Sequence, residues 1–351
     1  MKDDIPTTEG AQEHSVNDLY TSVVEAVLPC FPPLLKGEVN PARQTVERRH
    51  TDWLRAYGLV ELSCRPETMR LHDVTAFAFP HADADVLALT ADLTAWLFFV
   101  DELVDAGKTG LRLTSTREFI NAVKSPLRAS TEPGGTAPSP TDLAGLIHGA
   151  YGDVAARMRE RMSSPQWALF EAHLDAYYEA LSAETKDREQ RLPPALEDYC
   201  AVRRFSTGTQ CQLDLIELSE SVRLPPYLYE ADLFHELIHI TCDIAAWTND
   251  IFSAAKEHAA GGVHNLVLIL GRQAGCTLPE AAVLAVRRIE TRLRDMETAR
   301  AALPALMARH HASPAAQEAA RRWADGLYCF LQHADWYLGH SRYSGAAPQR
   351  R

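Results

Sequence analysis

Apolar residues recur at three-to-four spacing through most of the chain, and runs alternating every second residue are nearly absent. The pattern predicts helices over 43–57, 84–105, 143–162, 166–184, 195–206, 213–219, 231–258, 278–301 and 315–340. Ala, Leu, Glu and Arg, all good helix formers, dominate these stretches. The expected fold is therefore all-α, a bundle of about ten helices. Two segments, 84–104 and 233–251, are apolar on most faces, as helices in the middle of a domain are. Both run into acidic clusters. Buried carboxylates are costly unless paired or bound to metal, so these two helix ends are where chemistry is sought first.

No internal repeat is visible. A stretch rich in Pro, Gly, Ser and Thr, 125–141, predicts a surface loop, and 344–351 a flexible tail. Neither separates regions of different composition. The expected organisation is a disordered 1–15, one helical domain over 16–343, and the tail.

The chain has 351 residues, 46% hydrophobic and 23% charged, enough for a core that encloses a cavity. Its formal net charge of −12 argues against nucleic acid as a partner, because duplex affinity rests on Lys and Arg neutralising phosphates. A phosphorylated ligand would need divalent cations or a few placed arginines. The seven cysteines are scattered without a CxxC pair, which points to free thiols in a reducing compartment. The first fifteen residues lack the basic and apolar regions of a secretion signal, and no apolar run is long enough to span a membrane. The expected location is cytoplasmic.

Asp101 and Asp105 stand at i and i+4, on one helix face, just after Trp96, Phe98 and Phe99. Such a pair suits Mg²⁺, although an acidic pair can also be a solvated helix end. Asn249, Ser253 and Glu257 stand at i, i+4 and i+8, presenting an amide oxygen, a hydroxyl and a carboxylate over two turns. All three are hard oxygen donors suited to Mg²⁺ rather than zinc, and the bland alternative is a polar helix face. Lys256 lies beside the last donor and could meet an anion held there. Gly208, after Ser206 and Thr207, favours a break within a helical stretch, which would expose backbone carbonyls. Such carbonyls and aromatic faces could stabilise a carbocation; the candidates for those faces are Phe77, Phe79, Phe98 and Trp336.

Read together, Asn249, Asp250, Ser253, Lys256 and Glu257 resemble the NSE metal-binding motif of microbial class I terpene synthases. Asp101, Glu102 and Asp105 resemble their aspartate-rich motif, with Glu at the second position where Asp is commonest. Arg203-Arg204 followed by Ser206-Thr207-Gly208 is similar to the family's diphosphate-sensing arginine and the helix break behind it. That pattern implies Arg204 as sensor, with Arg203 the alternative, Thr207 as linker and Gly208 as effector. Arg342-Tyr343 resembles the pair that grips the diphosphate on closure, and Trp336 a pocket aromatic. The resemblance runs from about Asn40 to Tyr343. It implies a class I terpenoid synthase bundle around a central apolar cavity. The implied activity is ionisation of a linear prenyl diphosphate, most simply farnesyl diphosphate, and cyclisation to a sesquiterpene hydrocarbon or alcohol. Three Mg²⁺ ions, with Mn²⁺ as a substitute, and a monomeric or homodimeric state are implied as well.

The alternatives are a cyclase of another chain length, such as a diterpene synthase, a prenyl diphosphate chain-elongating synthase, and a non-catalytic helical binding protein. A second aspartate-rich motif, expected of the elongating enzymes, is replaced here by the Asn/Ser/Glu set. His235-Glu236-Leu237-Ile238-His239 matches the HExxH zinc signature. Its extension is missing, and the same helix runs on into Asn249–Glu257, so a zinc hydrolase is a remote reading.

Overall fold

A computed structural model describes residues 15–32, 37–60, 70–105, 143–190 and 192–338; the side chains of 102–105, 143–144 and 335 are outside the description. Every regular element among them is helical. In chain order these are α1 (Val16–Val27), α2 (Arg43–Ala56), α3 (Leu71–Ala78), α4 (Ala84–Asp105), α5 (Leu143–Arg161), α6 (Ser164–Gln190) and α7 (Leu196–Ser206). There follow α8 (Thr209–Leu213), α9 (Ile216–Ser219), α10 (Asp232–Ala259), α11 (Leu266–Ala274), α12 (Leu278–Arg309), α13 (Pro314–Phe330) and α14 (Ala334–Leu338). Short 3₁₀ turns cover Pro226–Leu228 and Leu331–His333.

Local chemistry starts these helices where it should. The Asp83 carboxylate accepts from the Asp85 and Val86 amides at 2.9 and 2.8 Å, capping α4. Asn265 caps α11 through the Val267 amide, and Gly275 ends that helix with φ +62°. Thr277 and Glu280 form a capping box on α12.

The two apolar helices are the structural centre. α4 is flanked by α2, α3 and α5; α10 is flanked by α12, α1, α7 and α11. Along α10, every residue from Ile240 to Thr248 is buried. On α4, Trp96 is fully buried, donates to the Ile147 carbonyl at 3.1 Å and packs on Tyr151.

The structure changes the expected elements in three places. Four helices were not anticipated: α1, α3, α8 and α11. α3 is buried along nearly its whole length, so it has no polar face and no readable period. The stretch 213–219 is not one helix; α8 ends at Leu213 and α9 begins at Ile216. The last helix is not continuous over 315–340, because the chain passes through the 3₁₀ turn after Phe330. The loop expected over 125–141 and the tail 344–351 lie outside the described residues, as do residues 1–14 of the N-terminus.

Among the described residues, no helix is long and apolar enough to cross a membrane. Their cysteines are free thiols; Cys64 is outside the description.

Candidate active site

α4, α6, α7 and α10 enclose between them, with the segment after α13, a cavity of about 720 Å³. That is ample for a drug-sized ligand. α10 turns Asn249, Ser253, Lys256 and Glu257 into it, as expected of residues spaced three or four apart along a helix. Asp101, near the end of α4, lines the same cavity. Asp105 is in α4, but its side chain is not described. Arg342 and Tyr343 lie outside the described residues.

The pair Arg203-Arg204 is divided by helical rotation of about 100° per residue. Arg203 lines the cavity; Arg204 does not. The Arg204 guanidinium grips Asp243 with two bonds, 2.8 and 2.9 Å, and Arg292 of α12 joins the same carboxylate at 3.0 Å. The Arg204 fork is thus occupied by Asp243, and of the two sensor candidates it is Arg203 that faces the cavity. Arg203 is 8% exposed and bonds Asp250 at 2.8 and 3.0 Å. Its Nη2 also reaches the Asn249 Oδ1 at 3.0 Å.

Asp250 is the hub beneath this site. Besides Arg203 it accepts from the Tyr199 hydroxyl and from the Leu266 amide at 2.9 Å. Asn265 ties the same turn down, donating to the Asp250 carbonyl at 3.0 Å. The face carrying Asn249 and Ser253 is thus fixed from below by α7 and α11.

The break after α7 is present. Gly208 has φ +68°, and a β-carbon there would come within 3.0 Å of Leu97 on α4. Both the left-handed backbone and the close approach require glycine. Thr207 lines the cavity immediately before it. Of the four aromatic candidates, Phe98 and Trp336 line the cavity. Phe77 and Phe79 are not among its lining residues, so their pocket assignment is corrected. α3 presents Val74, Thr75 and Ala78 instead. Phe79 packs behind, edge-on to Phe330 at 5.6 Å.

The HExxH residues sit on α10 well before the cavity face. Glu236 is exposed, and His239 packs edge-on against Phe205. Burial, aided by the Arg204 charge, pulls His239 down to about 4. None of the three lines the cavity, and no cluster of three or more His, Cys, Asp or Glu side chains placed to hold a metal occurs among the described residues.

Comparison with known proteins bears on this geometry. Residues 92–295 match the family model for terpene synthase family 2, C-terminal metal binding. The match spans more than half the chain and includes the part of α4 that carries Asp101 as well as the α10 face. The chain belongs to the terpene synthase family. Its relatives include the (+)-T-muurolol synthase of Roseiflexus castenholzii, named as cyclising (2E,6E)-farnesyl diphosphate. That enzyme is 30% identical over 88% of this chain and 91% of its own. Pristinol synthase of Streptomyces pristinaespiralis is 33% identical over 89% of this chain and 83% of that protein. Among solved structures, germacradien-4-ol synthase of Streptomyces citricolor superposes with a TM-score of 0.71 at 26% identity, over 86% of this chain and 95% of that one.

The terpene synthase family is metal-dependent, and the donor set here fits a hard divalent cation. Asn249, Ser253 and Glu257 offer oxygen only. Ser253 Oγ has only long contacts, 3.4 and 3.5 Å, leaving it able to ligate. Charge points the same way. The described acids lining the cavity are Asp101, Glu184 and Glu257, and the cations are Arg188, Arg203 and Lys256. These balance, so a multiply charged anion would find no net positive field without added cations.

Sequence reasoning missed Glu184, Arg188 and His264. Burial raises the Glu184 carboxyl, but His264 at 3.4 Å and Arg203 outweigh it and hold it at about 2. Burial lowers Arg188, and Asp101 pulls it back up. Glu184 and Arg188 belong to the charged run 184–191 at the end of α6, which reads as a solvated helix end, and His264 stands alone after Gly261-Gly262, so no spacing marks any of the three.

Proposed function

We propose that this terpene synthase ionises farnesyl diphosphate in a Mg²⁺-dependent reaction and cyclises the resulting cation to a sesquiterpene hydrocarbon or alcohol. The observation that carries the reading is the arrival of Asp101 from α4 and of Asn249, Ser253 and Glu257 from α10 at one cavity whose remaining wall includes Phe98, Phe330 and Trp336. The farnesyl chain length is supported by the named activity of the muurolol synthase relative. Residues 16–343 form the catalytic unit in this reading.

Asp101, with Asp105, would hold two Mg²⁺ ions, and Asn249, Ser253 and Glu257 a third. Bound there, Mg²⁺ supplies the Lewis acidity that stabilises the departing diphosphate. Arg203 and Lys256 bind the anion, joined by Arg342 and Tyr343. Arg203 already forks onto Asp250, so its remaining N–H bonds are oriented before substrate arrives. Thr207 and the left-handed Gly208 bend the chain between α7 and α8, placing the carbonyl end of α7 against the cavity. The partial negative charge of those carbonyls and the faces of Phe98 and Trp336 stabilise the cation in a space from which water is excluded. A chain-elongating activity finds no support in the α10 donor set, which carries one carboxylate where a second aspartate-rich motif would carry several.

Asn249→Leu and Glu257→Leu test the donor set. Each is expected to lower diphosphate release at least about 10²-fold, on the scale of losing an electrostatic stabiliser. Mn²⁺ affinity, followed by electron paramagnetic resonance, falls in parallel. Turnover like the wild type in either variant contradicts the assignment.

A further inference from the structure

The chain between α13 and α14 places a base in the cavity wall. In the 3₁₀ turn Leu331–His333, residues three apart lie on the same side, so His333 follows Phe330 into the lining, with Trp336 next. His333 is 6% exposed. Its Nδ1 is 2.6 Å from the Phe330 carbonyl oxygen. A carbonyl can only accept, so Nδ1 carries the proton and, in the neutral ring, the lone pair is on Nε2. The ring is held edge-on by Phe330 and tilted against Tyr337, at 5.2 and 5.9 Å. Burial lowers the basicity of the ring, which keeps it uncharged before reaction. The other lining histidine, His264, faces Glu184 and Asp187 at 3.4 and 3.8 Å.

We propose that His333 Nε2 is the proton acceptor that terminates the reaction. The inference rests on the cation-forming reading above. A C–H bond beside the final cationic carbon breaks, its electron pair becomes the π bond of the product, and the proton moves to Nε2. Where water adds instead, the same lone pair takes the surplus proton of the adduct. The imidazolium so formed has both nitrogens protonated, and its Nδ1–H bond to the Phe330 carbonyl becomes charge-assisted and stronger. The proton passes to solvent when product leaves. Because Nε2 is fixed on one side of the cavity, it selects which hydrogen is lost.

Three measurements test this. His333→Asn places an amide N–H where Nδ1–H reaches the carbonyl but removes the base; His333→Phe keeps a ring and removes both nitrogens. Variants and wild type are incubated with farnesyl diphosphate and Mg²⁺, and each product is expressed as a share of diphosphate released. The main wild-type product is expected to lose at least about tenfold of its share in both variants, since general-base assistance is worth roughly 10²–10⁴. An unchanged product profile in His333→Asn overturns the proposal, because the carbonyl contact alone would then account for the residue. In the wild type, ¹⁵N NMR of labelled histidine is expected to show the Nδ1–H tautomer; an Nε2–H tautomer overturns the proposal even if a variant fails to fold. Absence of diphosphate release by the wild type would instead sink the farnesyl reading and leave the tautomer result standing on its own.

Discussion

Two neighbouring arginines have opposite fates because of one residue's worth of helical rotation. Arg204 closes a clamp with Asp243 and Arg292, and Arg203 faces the cavity over Asp250. Replacing either with Lys keeps the charge but loses the fork. Arg203→Lys is expected to lower kcat/KM by about 10²–10³, comparable to losing a preorganised donor. Arg204→Lys is expected to lower the melting temperature while kcat/KM stays within tenfold. Steady-state kinetics beside thermal melts separate the two, and the reverse pattern would return the sensor role to Arg204. The sequence left both arginines as sensor candidates; what separates them is the side on which Asp243 and Asp250 lie. His239 makes a second residue-scale prediction. Its folded value of about 4 is below its ordinary 6.5, so the unfolded chain takes up that proton first as pH falls. The stability it contributes is complete above about pH 6.5 and is lost as pH falls towards about 4. Melting temperatures across that window are expected to decline less steeply in His239→Phe than in the wild type.

At the scale of elements, the site depends on where helices stop. α7 ends at a left-handed Gly208 wedged against Leu97 of α4, and α8 restarts at once. Gly208→Ala meets a backbone penalty of about 1–2 kcal/mol and a contact that Leu97 must relieve by moving. The expected result is a melting temperature a few degrees lower and a fall in kcat larger than the stability loss explains, because the carbonyl end of α7 moves with it. A kcat unchanged in a folded variant would detach the break from catalysis. α4 and α10 were legible because long apolar runs ending in acidic residues are rare in any other role. The Asn249–Ser253–Glu257 stripe was legible because four-residue spacing fixes a face whatever surrounds it. α3 was not, since a helix buried on all sides has no period to read, and neither was the interruption after Phe330, which no glycine or proline marks. Glu184 and His264 come together across 80 residues of chain, a pairing that only tertiary packing sets.

On the scale of the whole molecule, a chain of net charge −12 binds a polyanion only where acid and base are balanced and cations are imported. The described cavity wall has that balance, with three acidic and three basic side chains beside the oxygen donors of α10. The apolar part of the wall, which includes Val74, Leu97, Phe98, Phe330 and Trp336, can fold a hydrocarbon chain. In the proposed reaction, metal and anion meet at the part of this wall that carries the α10 donors, and the cation rearranges against another part. Purified protein incubated with C10, C15 and C20 prenyl diphosphates, with and without Mg²⁺, and with mass spectrometry of the extract, tests that claim most directly. The account predicts a cyclic C15 hydrocarbon or alcohol from farnesyl diphosphate, formed only when Mg²⁺ is present. Intact diphosphates from all three substrates, or linear longer prenyl diphosphates once isopentenyl diphosphate is added, would contradict it.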